Sequence, residues 1–338
     1  MKVLVIGGTG NISTAVVATL RARGWDVTLC GRGEGMPGCG FLRVDRTQHA
    51  EFERLMAAHG PWDCVIDMIG YTPDDAESAI RAFAGRTAQF VFCSTVDVFA
   101  KPAPSYPIGP GAPRGADPRF GYAYNKVRME ERLEAAAASG AFALTIVRPA
   151  ATCNDRSGPI GILSHGLAVL RRIRLGQPVL VMGDGLTLWC TAHRDDVGRA
   201  IAGAAGNPKG YGKHYTLASG EAMTWRQYYD AFRQAMDAPP IRFVGVPTAL
   251  LAAAAPRACE WCDVNFQYDN IFDSGDARRD LDFHITIGWQ DCARRMVAYH
   301  DSTGAIDTAT EHPAYELIVR RMDTLQQDFT RELARLDQ

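Results

Sequence analysis

The amino-acid sequence predicts an α/β fold, namely a doubly wound parallel sheet with a smaller α/β lobe and C-terminal helices. Short apolar segments alternate with helical patterns along the first half of the chain, and this alternation is typical of a parallel sheet covered by helices on both faces. The predicted strands are residues 3–6, 26–30, 41–44, 64–67, 89–93 and 144–147. The predicted helices include residues 73–83, 163–174, 197–205, 291–300 and 312–336.

The composition is typical of a globular protein with a large core. Of the 338 residues, 47% are hydrophobic and 22% are charged. The net charge of −2 gives no reason to expect nucleic acid or a membrane surface as the main partner. The apolar first residues run directly into Gly7, and we interpret them as a buried strand rather than a signal peptide. We expect a cytoplasmic protein whose nine cysteines are reduced and which has no metal site.

A glycine-rich turn follows the first predicted strand. The segment Gly7-Gly8-Thr9-Gly10 leads into a helical pattern, so the order is strand, tight turn, helix. Glycine lets backbone N–H groups approach a pyrophosphate, and the start of a helix favours negative charge. The turn therefore predicts dinucleotide binding. The candidate contacts are Gly7, Thr9, Gly10, Asn11 and Ile12.

The end of the second strand bears on the choice of dinucleotide. The chain there reads Cys30-Gly31-Arg32-Gly33, with no carboxylate to repel a 2′-phosphate and with Arg32 able to bind one. This favours NADP, with NAD as the alternative if Arg32 is a solvated loop cation. Two roles are open for Asp45, either contact with the adenine or capping of the helix that begins near Thr47.

Tyr122 and Lys126 stand four residues apart at the start of a strongly helical segment. A lysine one helical turn away can lower the pKa of a tyrosine electrostatically and make it an acid or base. Thr95, which follows the fifth strand, can supply a second hydrogen bond to a reacting oxygen. The spacing alone is common on amphipathic helices. The Tyr122–Lys126 pair predicts an active site because it follows a glycine-rich turn and a series of strand ends. Those strand ends carry Gly7, Asp67, Thr95 and Pro149.

These motifs resemble the extended short-chain dehydrogenase/reductase superfamily and, within it, the NAD-dependent epimerase/dehydratase family. The resemblance spans residues 1–283 and includes a Rossmann-type fold. The motifs are Gly7-Gly8-Thr9-Gly10, Ser94-Thr95-x-x-Val98-Phe99, Tyr122 to Lys126, Arg148-Pro149, Gly183-Asp184-Gly185 and His193-Arg194-Asp195-Asp196-Val197.

The resemblance implies a role for each catalytic position. Tyr122 is the general acid or base, Lys126 lowers its pKa and binds the nicotinamide ribose, and Thr95 hydrogen-bonds the reacting oxygen. Ser94 and Pro149 are implied cofactor contacts. A homodimer is implied as well.

Three departures point to an atypical branch. Trp189 replaces the arginine that holds a substrate diphosphate, so a nucleotide-diphosphate sugar is not the expected substrate. Dehydratases carry Asp-Glu after the catalytic Thr, whereas this chain has Val96 and Asp97, which leaves Asp97 as a candidate base. The Tyr-Gly-Pro that commonly follows Arg-Pro is replaced by residues 152–155.

The expected domains are a dinucleotide-binding domain, residues 1–150 and 187–216, and a substrate lobe with C-terminal helices, residues 151–186 and 217–338. Trp189 and His193 lie where substrate is expected, with Trp189 either stacking on a sugar ring or packed in a lobe interface. The Pro- and Gly-rich loop 101–118 suits a mobile flap.

Two functional classes follow. One is an NAD(P)-dependent epimerase or oxidoreductase that acts on a hydroxyl-bearing, sugar-like small molecule. The alternative is a non-catalytic binding protein of the same fold, either NADP-sensing or RNA-associated.

Overall fold

The structure, a computed structural model, describes residues 1–163 and 166–337. The strands are β1 (Lys2–Ile6), β2 (Asp26–Gly31), β3 (Gly40–Arg43), β4 (Trp62–Asp67), β5 (Thr87–Cys93), β6 (Ala143–Pro149), β7 (Ala151–Cys153), β8 (Val179–Met182), β9 (Leu188–Trp189), β10 (Thr191–His193), β11 (Lys213–Leu217), β12 (Met223–Thr224) and β13 (Phe243–Val246). The α-helices are α1 (Asn11–Ala22), α2 (His49–Ala58), α3 (Pro73–Phe83), α4 (Gly121–Ala138), α5 (Ala168–Arg174), α6 (Arg194–Ala204), α7 (Trp225–Ala235), α8 (Thr248–Ala254), α9 (Gly275–Asp280), α10 (Trp289–Ser302) and α11 (Ala314–Leu336).

A seven-stranded parallel sheet confirms the predicted fold class. Its strand order is β11-β6-β5-β4-β1-β2-β3. The chain builds outward from β1 in one direction and from β4 in the other, so the strand order reverses between them. In doubly wound folds ligands bind outside the carboxyl ends of the strands at such a switch point.

Helices bury the strands on both faces of the sheet. In β1, the residues Val3, Leu4, Val5 and Ile6 all have no exposed surface. One face packs against α1 and α6, and the other against α2, α3 and α4. Burial on both faces explains why the strands are continuous apolar runs rather than alternating ones.

The chain divides into two compact units. Unit 1 contains residues 1–152, 190–220 and 271–287, and unit 2 contains residues 153–189, 221–270 and 288–338. The segment 271–287, which the sequence placed in the substrate lobe, therefore belongs with the dinucleotide-binding unit.

Two features hold the segment 271–287 in unit 1. The side chains of Leu281 and Phe283 are buried in the core beneath α1 and α6. The buried carboxylate of Asp196, in α6, accepts hydrogen bonds from the Thr286 backbone N–H at 2.9 Å and from its hydroxyl at 2.5 Å. These partners lie about ninety residues apart in the chain, and local patterning does not reveal them.

Unit 2 combines short strand pairs with helices. Strands β8 and β13 are parallel, and β9 and β12 are antiparallel. Helix α7 packs against α10, where Tyr228 and Trp289 stack at 4.4 Å between ring centroids. Helix α5 spans Ala168–Arg174, within the predicted helix 163–174, and residues 164 and 165 of that prediction lie outside the described residues. Among the helices of the described ranges, none is both long and apolar enough to cross a bilayer.

A glycine sets the distance between α1 and α6. A Cβ atom at Gly198 in α6 would lie 2.5 Å from the Ala15 Cβ and 2.9 Å from the Ala15 carbonyl carbon in α1. Both distances are far below van der Waals contact. Gly198 therefore fixes the approach of the two helices and, through α1, the position of the glycine-rich turn.

We predict that Gly198→Ala lowers the free energy of unfolding by about 1–3 kcal/mol, because the added methyl pushes two helix backbones apart. The measurement is the urea-unfolding midpoint. Gly111→Ala is the matched control, since a Cβ there meets nothing within 4 Å. A Gly198→Ala protein as stable as this control would show that α1 and α6 separate freely.

Candidate active site

The glycine-rich turn at the end of β1 leaves no room for side chains. Gly7 has φ +79°, and a Cβ there would lie 2.4 Å from Cγ2 of Ile69. A Cβ at Gly8 would lie 2.6 Å from Cδ2 of Leu29. The Gly7 N–H is bonded to the Cys30 carbonyl at 2.8 Å, which ties the turn to β2. The backbone of this turn is thus open to close approach by a ligand.

Helix α1 begins directly after the turn. Gly10 occupies the N-cap position, and its N–H donates to the Ser13 hydroxyl at 3.2 Å. Ser13, which stands where the usual pattern has Gly or Ala, is buried. Thr9 and Asn11 are exposed beside the helix start, where helix polarity favours an anionic ligand. These residues fit a dinucleotide pyrophosphate.

Two arginines stand side by side beyond β2 and β3. The side chain of Arg32 is 80% exposed, and its Nη1 lies 3.8 Å from Oδ2 of Asp45. Arg43, at the end of β3, donates from Nη1 to the Arg32 carbonyl at 3.4 Å. Asp45 also accepts from the Thr47 N–H at 3.0 Å and from its hydroxyl at 2.8 Å, in a turn that precedes α2. These hydrogen bonds lower the pKa of Asp45.

Asp67, a predicted cofactor contact, has a structural partner instead. It is 1% exposed, and its carboxylate forms a buried ion pair with Arg46. It also accepts the Ile69 N–H at 3.0 Å. Arg46 further donates to the Asp75 carbonyl at 2.8 Å, so one guanidinium joins the end of β4 to the start of α3. Asp67 is therefore occupied in holding the loop after β4.

Lys126 is buried at the carboxyl end of β5. Its side chain is 1% exposed, and Nζ donates to the Cys93 carbonyl at 2.6 Å. The ammonium lies 4.7 Å from the ring centroid of Phe92, 5.2 Å from that of Tyr71 and 5.9 Å from that of Tyr122. Cation–π attraction to these rings offsets part of the loss of hydration. Burial nevertheless lowers the pKa of Lys126.

Tyr122 lies one helical turn before Lys126 in α4. The residue is 38% exposed, and its hydroxyl lies near that of the buried Thr95. Burial, and next the charge of Asp97, raise the pKa of Tyr122 well above its ordinary value, and the Thr95 hydroxyl only partly opposes them. The sequence led us to expect a lowered pKa. In the protein alone the positive charge of Lys126 does not outweigh these effects.

Thr95 and Asp97, which follow β5, are joined by two hydrogen bonds. Thr95 caps a 3₁₀ turn over Val96–Val98, and its hydroxyl accepts the Asp97 N–H at 3.2 Å. The same hydroxyl lies 3.1 Å from Oδ2 of Asp97, to which it donates. The Thr95 hydroxyl therefore lies between the Asp97 carboxylate and the Tyr122 hydroxyl.

The end of β6 is joined to α4 by a buried ion pair. Arg148 donates to both oxygens of Glu130, at 2.9 Å from Nε and 2.7 Å from Nη2. Arg114 of the loop 101–118 adds a bond to Glu130 at 2.9 Å. Ser94 is buried, with its hydroxyl toward Glu130. Pro149 ends β6, directly after Arg148, opposite Leu217 of β11.

Trp189 has the packed position that the sequence left open as an alternative, and His193 caps a helix. Trp189 is 4% exposed and stacks on Trp225 at 4.8 Å between ring centroids in unit 2, so its ring is not available for stacking on a sugar. His193, in unit 1, is 2% exposed, and its Nδ1 accepts the Asp195 N–H at 3.3 Å as the N-cap of α6. We therefore leave both side chains out of the proposed substrate site.

Three residues near the site were not expected from sequence. Tyr71 packs 6.4 Å from Tyr122 between ring centroids. Lys101 lies buried beside Asp97. Arg43 flanks Arg32. Each comes from a loop or a strand end near the carboxyl side of the sheet, and no local sequence signal singles it out.

The residues present fit a nicotinamide dinucleotide. The glycines of the turn pack closely on Ile69 and Leu29 and lead into the start of α1, and Tyr122, Lys126 and Thr95 lie near the carboxyl end of β5. The arrangement can donate or accept a proton at Tyr122 and hydrogen-bond an oxygen with Thr95.

Comparison with known proteins agrees with this geometry. A family model described as "NAD dependent epimerase/dehydratase family" matches residues 3–218. A 2′-dehydrokanamycin reductase of Streptomyces kanamyceticus is 32% identical over 279 residues, which is 81% of this chain and 77% of that protein. The chloroplast stem-loop binding protein of 41 kDa b of Arabidopsis thaliana is 23% identical over 242 residues, or 66% of this chain and 60% of that protein.

Solved structures share the fold. A UDP-glucose 4-epimerase from Thermotoga maritima aligns with a TM-score of 0.68 at 21% identity, covering 90% of this chain and 99% of that one. A dTDP-glucose 4,6-dehydratase from Bacillus anthracis aligns with a TM-score of 0.70 at 12% identity, covering 89% and 97%. The resemblance that the motifs suggested is confirmed, and the chain belongs to the NAD-dependent epimerase/dehydratase family.

Proposed function

We propose that this protein is an NAD(P)-dependent oxidoreductase that reduces a carbonyl group of a sugar-like small molecule, or oxidises the corresponding alcohol. The observation that carries the proposal is the set formed by Tyr122, the Thr95 hydroxyl near it and the buried Lys126 on the same helix. A bound nicotinamide cofactor would supply or accept the hydride.

In the reductive direction, Tyr122 donates its hydroxyl proton to the substrate oxygen as hydride reaches the carbonyl carbon. On substrate binding the Thr95 hydroxyl would turn its proton from the Asp97 carboxylate to the same oxygen and hold it with a hydrogen bond. Lys126, fixed on the Cys93 carbonyl, stabilises the phenolate that remains and is placed to bind the nicotinamide ribose. Solvent then returns a proton to Tyr122. In sum, one carbonyl, one hydride and one proton give one alcohol.

We favour reduction over epimerisation because the relative with 32% identity is named as a reductase. The compound in that name, 2′-dehydrokanamycin, is the first substrate to test. The stem-loop binding relative keeps RNA association as the second candidate function. The net charge of −2 and the complete Thr95/Tyr122/Lys126 set weigh against RNA.

We predict that Tyr122→Phe lowers kcat/KM by about 10²–10⁴-fold while leaving cofactor affinity unchanged, because the change removes only the proton donor. The measurement is NADPH consumption with 2′-dehydrokanamycin and a panel of keto sugars, together with calorimetric cofactor titration. Tyr124→Phe is the matched control on the same helix. Normal turnover in Tyr122→Phe would contradict the mechanism. A salt-sensitive RNA shift without turnover would favour the second candidate.

We predict that the purified protein releases little nucleotide on denaturation and binds NADPH reversibly. A reductase exchanges its cofactor in every cycle, whereas an epimerase must return the same hydride to its substrate. The released nucleotide is identified by mass and absorbance. Stoichiometric retained cofactor would instead support epimerisation.

We predict that Arg32→Ala weakens NADPH binding by roughly 10- to 100-fold and leaves NADH binding unchanged. The exposed ion pair with Asp45 contributes little, so Arg32 is available to a 2′-phosphate, and a charge-assisted hydrogen bond contributes about 1.5–3 kcal/mol. Arg279→Ala, which removes another exposed paired arginine, is the control. Equal loss for both nucleotides would refute the NADP preference.

A further inference from the structure

Lys101 carries a buried charge beside the catalytic residues. It is the first residue of the loop 101–118, yet its side chain is 8% exposed, with Nζ 3.9 Å from Oδ1 of Asp97. The loop is tied down at this point, since the Ala100 N–H donates to the Pro113 carbonyl at 2.9 Å and the Gly115 N–H to the Val98 carbonyl at 3.0 Å. A lysine buried at such a place requires a compensating charge.

Lys101 is connected to Tyr122 through two intervening groups. Oδ1 of Asp97 faces the ammonium, and Oδ2 of Asp97 accepts the Thr95 hydroxyl at 3.1 Å. The Thr95 hydroxyl lies near that of Tyr122, and the Asp97 charge acts on Tyr122 directly. All four residues belong to unit 1.

The other titratable neighbours are neutral near pH 7. Beside Lys101, burial raises the pKa of the Cys190 thiol to about 12. Beside Tyr122, burial raises the pKa of Cys93 to about 11 and also raises that of Tyr71. The charges that act on Tyr122 are then those of Asp97 and Lys126, together with Lys101 behind Asp97.

We propose that Lys101 is a positioning residue whose ammonium offsets the Asp97 carboxylate, so that negative charge can develop on Tyr122 and the substrate oxygen during hydride transfer. This inference rests on the proposed function. As hydride adds to the carbonyl carbon, the C=O electron pair moves to oxygen and the Tyr122 proton follows. An Asp97 without Lys101 would repel that charge.

The protonation of Lys101 then controls the rate. Burial lowers the pKa of Lys101 to about 8, although Asp97 opposes the shift. Lys101 is charged below that pH and loses its charge above it. We expect kcat/KM for reduction to fall roughly 10- to 100-fold as the pH rises through about 8.

The test is the pH profile of kcat/KM in four proteins, with 2′-dehydrokanamycin or the best carbonyl compound of the panel. Lys101→Arg, which stays charged, should keep its activity to higher pH. Lys101→Met should be less active than the wild-type protein below about pH 8, equal to it above that pH, and show no fall near pH 8. The double variant Asp97→Asn/Lys101→Met buries no unpaired carboxylate, so it should be more active than Lys101→Met. If Lys101→Met fails to fold, the double variant should still fold.

A second readout does not need turnover. The chain has only five lysines, so NMR of lysine labelled at Cε can follow Lys101, assigned from Lys101→Arg. We expect Lys101 to titrate near pH 8, and at lower pH in Asp97→Asn because the attracting charge is gone. A Lys101 that titrates at its ordinary value would overturn the proposal.

The failures are distinguishable. Turnover retained by Tyr122→Phe would overturn the proposed function and the role of Lys101 with it. An inactive Tyr122→Phe combined with an unchanged pH profile in Lys101→Met would overturn the role of Lys101 alone.

Discussion

Buried charges along one face of α4 fix the position of the site. Lys126 is bonded to the end of β5 through the Cys93 carbonyl, and Glu130, one turn later, to the end of β6 through Arg148. Breaking a buried ion pair costs about 3–5 kcal/mol, because the remaining charge has no partner. Helix α4 therefore cannot slide or rotate on the sheet without losing both attachments. As a consequence, Tyr122, one turn before Lys126, is held over the carboxyl ends of the strands.

The same burial that fixes these side chains works against their chemistry. In the proposed mechanism Tyr122 carries negative charge for part of the cycle, yet burial and Asp97 raise its pKa. The protein alone does not resolve this conflict. A cationic nicotinamide ring, Lys126 and Lys101 would each contribute positive charge from a different side. The pKa of Tyr122 in the cofactor-bound site therefore depends on all three groups and not on a single neighbouring residue.

The parts of the fold that follow from local patterns could be predicted from sequence. Six of the seven strands of the main sheet, α3 and the glycine-rich turn depend on apolar runs, a Thr72 cap and steric limits that lie within a few residues, whereas β11 was not predicted. What could not be predicted depends on partners far apart in the chain. Asp67 pairs with Arg46 twenty-one residues earlier, and Asp196 binds Thr286 ninety residues later. A carboxylate after a strand has the same local pattern whether it binds a cofactor or an arginine.

The surroundings of Asp97 bear on which reaction this branch of the family can perform. A base that removes a proton from carbon needs an oxygen free to reach that carbon. Here Oδ2 of Asp97 holds Thr95, and Oδ1 faces the ammonium of Lys101. Both carboxylate oxygens of Asp97 are therefore engaged, one with Thr95 and the other with Lys101. Val96 stands where the dehydratases of the family carry an acid, so an apolar side chain replaces their usual proton donor at that position. The same side chains suit hydride transfer to or from a carbonyl, in which a proton moves only between oxygens.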